Sequence, residues 1–420
     1  MVSYGEQSGL AIPVDPNALR DAGARFLTEA FRASGVLAEG NTVTRISEFR
    51  EVAGGSTGRK VELSVEYDRP QPSLHTDLFV KFSRDLENPV RDRGRTQMEP
   101  EVRFAALSRT PGFPIAVPAV QFGDYDRKTG TGILITERIP FGCNGIERQY
   151  HKCLDYDMPD PLGHYRALLS ALGRLAGTYG SGRLPESLAS CFPLDVRAAT
   201  VGDRAPFSAE KLDRRVSQLT RFIETHPGLV PTNVGSPEFL ARLRAEVPRV
   251  ARQEHTITSR LADDPDYVAL CHWNANIDNA WFWRDGEGVL RCGLLDWGCV
   301  GQMNMGMAIW GAMSGAETDL WNQHFDELLR LFVGEVERCG GPRLDPDRLR
   351  RHTLLYAAAM GVAWLLDVPA LIRARFGTDP PASRLDPRIK DDESVRAPLQ
   401  MLANLLNLWE RNGMESLVSL

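Results

Sequence analysis

With 420 residues, 43% hydrophobic and 25% charged, the chain is long enough for two lobes or domains, each with its own core. Its net charge of −6 comes from acids and bases mixed along the chain, and no basic block supplies the phosphate-neutralising term that a general nucleic-acid binder needs. Met1 to Asp15 lack a basic stretch followed by an apolar one. The longest apolar run, Leu354 to Leu366, reads as a buried helix too short to span a bilayer, and seven scattered cysteines fit a reducing compartment. The expectation is a cytoplasmic protein without membrane insertion.

Asp15-Pro16 opens a helix, with a cap residue followed by proline in the first turn. Leu19, Ala22, Phe26, Ala30 and Phe31 form its buried face, and Gly35 and Gly40 end it. From Thr42 to Lys81 the apolar period shifts towards two. Val61, Leu63 and Val65 alternate with Glu62, Ser64 and Glu66, which predicts a half-buried strand. Leu78 to Phe82 reads as a further strand, Gln97 to Leu107 as a helix, and Ala119 to Phe122 and Gly132 to Ile139 as two more strands. The remainder reads as mostly helical: Pro161 to Tyr179, Asp213 to Glu224, Pro237 to Ala251, Leu354 to Val368 and Val395 to Trp409. In that half only Trp281 to Trp283 and Leu290 to Leu295 resemble strands.

Three groups of residues carry chemistry in this order. Gly54-Gly55-Ser56-Thr57-Gly58 lies between two strand-like runs. It is either an ordinary hairpin tip or a loop whose exposed N–H groups approach nucleotide phosphates; with no Gly-Lys-Ser/Thr after it, it is not a Walker A loop. Lys81, near the end of a strand, and Glu101, on the helix that follows, form a candidate pair for gripping phosphates, with Glu99 as the alternative acid. His272-Trp273-Asn274-Ala275-Asn276-Ile277-Asp278-Asn279, followed by Leu294-Leu295-Asp296-Trp297-Gly298, has the spacing of a phosphotransferase catalytic loop and metal loop. Asn279 and Asp296 offer two oxygen ligands to magnesium. Asn274 stands where such loops carry the aspartate base; an amide cannot take a proton, although it can still orient a hydroxyl. Asp278 is a candidate substitute base. No CxxC or HxxxH spacing is present, so the cysteines read as core thiols.

On these motifs, together with Phe79-Val80-Lys81, Glu101-Val102-Arg103-Phe104 and Leu134-Ile135-Thr136-Glu137-Arg138, the chain resembles the aminoglycoside phosphotransferase and choline kinase-like superfamily, and is closest in pattern to ecdysteroid-kinase-like proteins. The resemblance implies an α+β, bilobal, protein-kinase-like fold with a small β-rich N-lobe over 1–139 and a larger helical C-lobe over 140–420. It also implies ATP and Mg2+ as cofactors, with the γ-phosphate passing to a hydroxyl of a small-molecule acceptor. Within it, Gly54 to Gly58, Lys81 and Glu101 bind the phosphates, and Thr136, Glu137 and Arg138 meet adenine through backbone groups. His272, Asn274 and Asp278 form the catalytic loop, and Asn279 and Asp296 hold the metal. The chain departs from the family pattern at Asn274, at Trp273, where glycine is common and the indole would shape the acceptor pocket, and at Gln302 to Met307, where Asp-Leu-Ala is usual. The alternative is a pseudokinase-type nucleotide- or ligand-binding protein without transfer activity.

Overall fold

The computed structural model describes residues 2–52, 54–55, 57–202 and 204–414. Whereas the sequence reading divides the chain once, at 139/140, the structure groups Met1–Ile146, Leu184–Phe192 and Gly293–Val300 into one unit and Glu147–Arg183, Pro193–Cys292 and Gly301–Leu420 into a second.

The first unit is built on a five-stranded antiparallel sheet: β1 (Val43–Val52), β2 (Arg59–Tyr67), β3 (Asp77–Phe82), β4 (Val120–Asp126) and β5 (Thr131–Glu137), in the order β1-β2-β3-β5-β4. Side chains alternate across a strand, so each strand divides its residues between two faces. Val61, Leu63, Val65, Leu78, Val80 and Phe82 turn to one face and are buried against helix α1 (Pro16–Ala33) through Leu19, Phe26, Leu27, Ala30 and Phe31. Removing this apolar face from water stabilises the unit by about 25 cal/mol per Å² buried. As expected from the sequence, Asp15 caps α1, accepting from the Ala18 amide at 2.8 Å. The helix kinks at Gly23, a break that hydrophobic spacing does not signal. The opposite face carries helix α2 (Met98–Ser108), where Met98, Val102 and Ala105 pack with Tyr125 and Leu134. Alternation therefore leaves Lys60 and Lys81 on the α2 side of the sheet.

The second unit is mainly helical, and the architecture as a whole is α+β. Helix α3 (Pro161–Gly180), helix α4 (Ala209–Thr225) and helix α5 (Pro237–Arg252) are each capped by an Asp or Ser side chain that accepts from a first-turn amide. Further on lie helix α6 (Met305–Met313), helix α7 (Phe325–Arg338), helix α8 (Pro346–Trp364) and helix α9 (Glu393–Asn412). The strand reading of this half needs correction. Besides Ala280–Arg284, which pairs with Leu290–Leu294, the chain forms a second ladder between Val268–His272 and Val300–Asn304. The first of these two strands is almost wholly buried, so it shows no alternation to read. The apolar stretch at 354–366 also proves to be part of a longer helical run, 346–376. That run is long and apolar enough to cross a bilayer by length and composition, but 72% of its apolar window is buried inside the protein, as in a core helix.

Candidate functional site

In the first unit Lys81 is held between two acids. Its Nζ lies 2.6 Å from Glu101 Oε1 and 2.7 Å from Asp296 Oδ1, bringing together three residues as far as 215 positions apart. Of the two candidate acids on α2, Glu101 takes the lysine. Glu99, on the other side of the helix, pairs instead with Arg103 and with Arg127, the latter at 2.7 Å. Burial pulls the Lys81 ammonium down, but Asp296 and Glu101 more than reverse this and hold it charged well above the ordinary lysine value. Burial pushes the Glu101 carboxyl above its usual range, against the pull of Lys81 and of the Trp297 amide.

Asp296 has a left-handed backbone, φ 64° and ψ 62°, which is uncommon for a non-glycine residue and clusters at functional turns. Neighbouring contacts set this turn. The Trp297 amide donates to Glu101 Oε1 at 3.1 Å, its indole Nε1 donates to the Leu294 carbonyl at 3.0 Å, and the ring stacks on Phe104 at 3.7 Å. Trp297 is thus a bracing residue that sequence reading placed in the metal-loop motif without seeing its partner. Phe104, in the matching α2 motif, was the available signal.

Of the glycine-rich loop, Ser56 lies outside the described residues. Gly58 has φ 52°, and a Cβ there would meet the Phe82 carbonyl at 1.8 Å, so glycine is required. The loop carbonyls are held by two cations that sequence reading did not single out. Lys60 Nζ donates to Gly54 O and Thr57 O, both at 3.2 Å, and Arg91 donates to Gly54 O at 3.2 Å and to Gly58 O. The Thr136–Arg138 segment is less open to a ligand than its motif implies. Glu137 N donates to Ala119 O at 2.8 Å and Arg138 N to Asp77 O at 3.0 Å, so these two amides are already used within the sheet. The Arg138 guanidinium pairs with Glu62 and Asp77, and Thr136 Oγ1 donates to Glu137 O.

In the second unit His272 is fully buried at the end of its strand, and the loop after it is closed on itself. The Asn274 carbonyl accepts from Asn276 N at 2.9 Å and from Asn279 Nδ2 at 2.8 Å. This fixes the Asn279 amide, directs its donor inward and leaves Oδ1 as its acceptor. The Asn274 side-chain Oδ1 accepts from Asn276 Nδ2 at 2.8 Å, which uses one of its two acceptor positions within the loop and leaves its NH2 as a donor. Asp278 faces Lys152, with Oδ2 3.6 Å from Nζ. Trp273 anchors the loop through Nε1 to the Tyr356 hydroxyl at 2.6 Å. In the stretch that departs from Asp-Leu-Ala, Asn304 caps α6 through Gly306 N at 2.9 Å and reaches the Leu261 carbonyl and His352 Nδ1, both at 3.1 Å.

The Asp296 carboxylate in the first unit and the Asn279 amide oxygen in the second are each hard oxygen donors of the chemical type that Mg2+ takes. Among the described residues no cluster of three His, Cys, Asp or Glu forms a cage for a metal. All seven cysteines are free thiols.

No family model matches the chain, and no curated protein matches it. Among solved structures it is similar to a choline/ethanolamine kinase family protein from Mesorhizobium loti, at 15% identity over 85% of this chain and 92% of that one, TM-score 0.38. It is also similar to a spectinomycin phosphotransferase solved with ADP and spectinomycin, at 12% identity over 86% and 94%, TM-score 0.41. A third is a microcompartment-associated aminopropanol kinase, at 13% identity over 88% and 93%, TM-score 0.46.

Proposed function

We propose that this chain is a MgATP-dependent phosphotransferase acting on a hydroxyl of a small molecule, with Asn274 where an aspartate base usually stands. The observation that carries the reading is the salt-bridged set Lys81–Glu101–Asp296 at 2.6 and 2.7 Å. A charged lysine fixed by a buried glutamate, next to a carboxylate on a strained turn, suits phosphoryl transfer, where positioning and charge neutralisation dominate. When bound, Mg2+ would neutralise phosphate charge, held by Asp296 and Asn279. Lys81 would grip the non-bridging phosphate oxygens while Glu101 keeps its ammonium in place. Asn274 would donate from its NH2 to the acceptor oxygen and orient it, leaving the hydroxyl proton for solvent or phosphate to take. A missing base typically costs about 10²–10⁴-fold, so transfer is slow but not abolished.

The test is ADP release with panels of amino-alcohol, sugar and polyol acceptors, for the protein and for Asn274→Asp. In that variant one oxygen can keep the Asn276 bond while the other takes the proton, so turnover rises by about 10²-fold or more. The engagement of Asn274 Oδ1 by Asn276 favours a second reading, a nucleotide-binding protein without transfer. A thermal shift with MgATP, and no turnover by either form, would establish it.

A further inference from the structure

Six of the 49 basic residues are lysines, at positions 60, 81, 128, 152, 211 and 390. Two of these six are direct cross-strand partners, Lys60 on β2 and Lys81 on β3, and directly opposed residues in an antiparallel pair share one face of the sheet. Two ammonium groups side by side are unfavourable unless counter-charge is supplied. Lys81 has its counter-charge within the chain, in the two carboxylates of Glu101 and Asp296. Lys60 does not. Its Nζ is satisfied by two neutral carbonyls of the glycine-rich loop and lies where a Gly55 Cβ would stand, and among the described residues no carboxylate is within ion-pair distance of it. Burial and the Lys81 charge draw its pKa below the ordinary lysine value, with Arg91 adding to the effect and Asp296 and Glu101 opposing it. Lys60 also lines an open groove of about 360 Å³ with the cations Arg59 and Arg91, the carboxylates Glu51, Asp85 and Glu87, and Asn88.

We propose that Lys60 is a second phosphate-binding cation, which meets the nucleotide triphosphate from beneath the glycine-rich loop. This deepens the phosphotransferase reading and rests on it. The anion takes the place of the Gly54 and Thr57 carbonyls as partner of Nζ.

The experiment is acetylation of the whole chain with an N-hydroxysuccinimide ester, read lysine by lysine by peptide mass spectrometry, with MgATP, inorganic triphosphate or adenosine present. It is paired with MgATP binding calorimetry on the protein, Lys60→Met and Lys60→Arg. MgATP and triphosphate protect Lys60 while the exposed Lys128 and Lys211 react unchanged, and adenosine does not protect it. Lys60→Met weakens MgATP about tenfold or more, the loss of one charge-assisted hydrogen bond, and Lys60→Arg recovers most of it. If the protein binds MgATP but Lys60 reacts at the same rate with and without it, and Lys60→Met binds MgATP as the parent does, the proposal falls while the phosphotransferase reading stands. If adenosine protects as well as triphosphate, the phosphate assignment is wrong. If the parent binds no MgATP at all, both fall.

Discussion

Replacing Lys81 by methionine isolates the buried interaction on which the proposed function rests. The change removes the ammonium 2.6 Å from Glu101, whose side chain is 8% exposed, and leaves that carboxyl with the Trp297 amide as its remaining partner there. Stripping one partner from a buried pair costs about 3–5 kcal/mol. The glutamate has an escape, because it can take up a proton. From its ordinary value of 4.5, protonation at pH 7 costs about 1.36 × 2.5, or 3.4 kcal/mol, and this sets a ceiling on the loss. At pH 5.5 the ceiling falls to about 1.4 kcal/mol. A carboxyl whose folded pKa is raised contributes stability that is present below pH 4.5 and lost as pH rises through the folded value, so the destabilisation of Lys81→Met relative to the parent grows from pH 5 to pH 7. Asp296, 44% exposed, is screened by solvent and adds little. Urea unfolding of parent and variant at pH 5.5 and pH 7, with Lys81→Met/Glu101→Gln as the partner that removes the stranded charge, measures this directly. Equal stability at pH 7, or a deficit that shrinks as pH rises, would refute the reasoning.

Other substitutions test the supports around the two loops. A Cβ at Gly311 would stand 1.8 Å from the Trp273 carbonyl, so Gly311→Ala displaces the residue before Asn274. It lowers stability by about 1–3 kcal/mol in thermal or chemical melts, and unchanged melting would show that the loop yields freely. Trp297→Ala removes a buried ring stacked on Phe104 and costs about 3–5 kcal/mol, whereas Trp297→Phe keeps the stack, loses the bond to Leu294 O and costs about 1 kcal/mol; equal losses would contradict this division. Burial, with Arg348 and Arg351 nearby, lowers the His352 pKa to about 4. The neutral ring therefore contributes stability that is present above pH 6.5 and lost as pH falls through 4, and NMR should show its ring signals unchanged at pH 5.5.

Wherever the residues themselves state a pattern, the sequence was enough. Alternation of Val61, Leu63 and Val65 marked the buried face of β2, and the Asp15-Pro16 pair marked the start of α1, because a strand's period and a helix cap are local properties of the chain. The order of glycine-rich loop, strand lysine, helix acid and Asp-x-Gly turn was likewise readable. Tertiary structure decided everything that depends on which distant groups become neighbours. Glu99 and Glu101 are equivalent in sequence but point to different sides of α2, and the packing of Val102 and Ala105 on the sheet chose the second. The register of β2 against β3 set Lys60 beside Lys81, the stack of Trp297 on Phe104 placed an amide on Glu101, and Asn276 engaged the Asn274 side-chain oxygen. The buried strand at Val268–His272 escaped notice because a strand covered on both faces loses its alternation, and its partner lies about thirty residues further along the chain. Ion pairs and ladders arise from proximity in space, which side-chain periodicity does not encode.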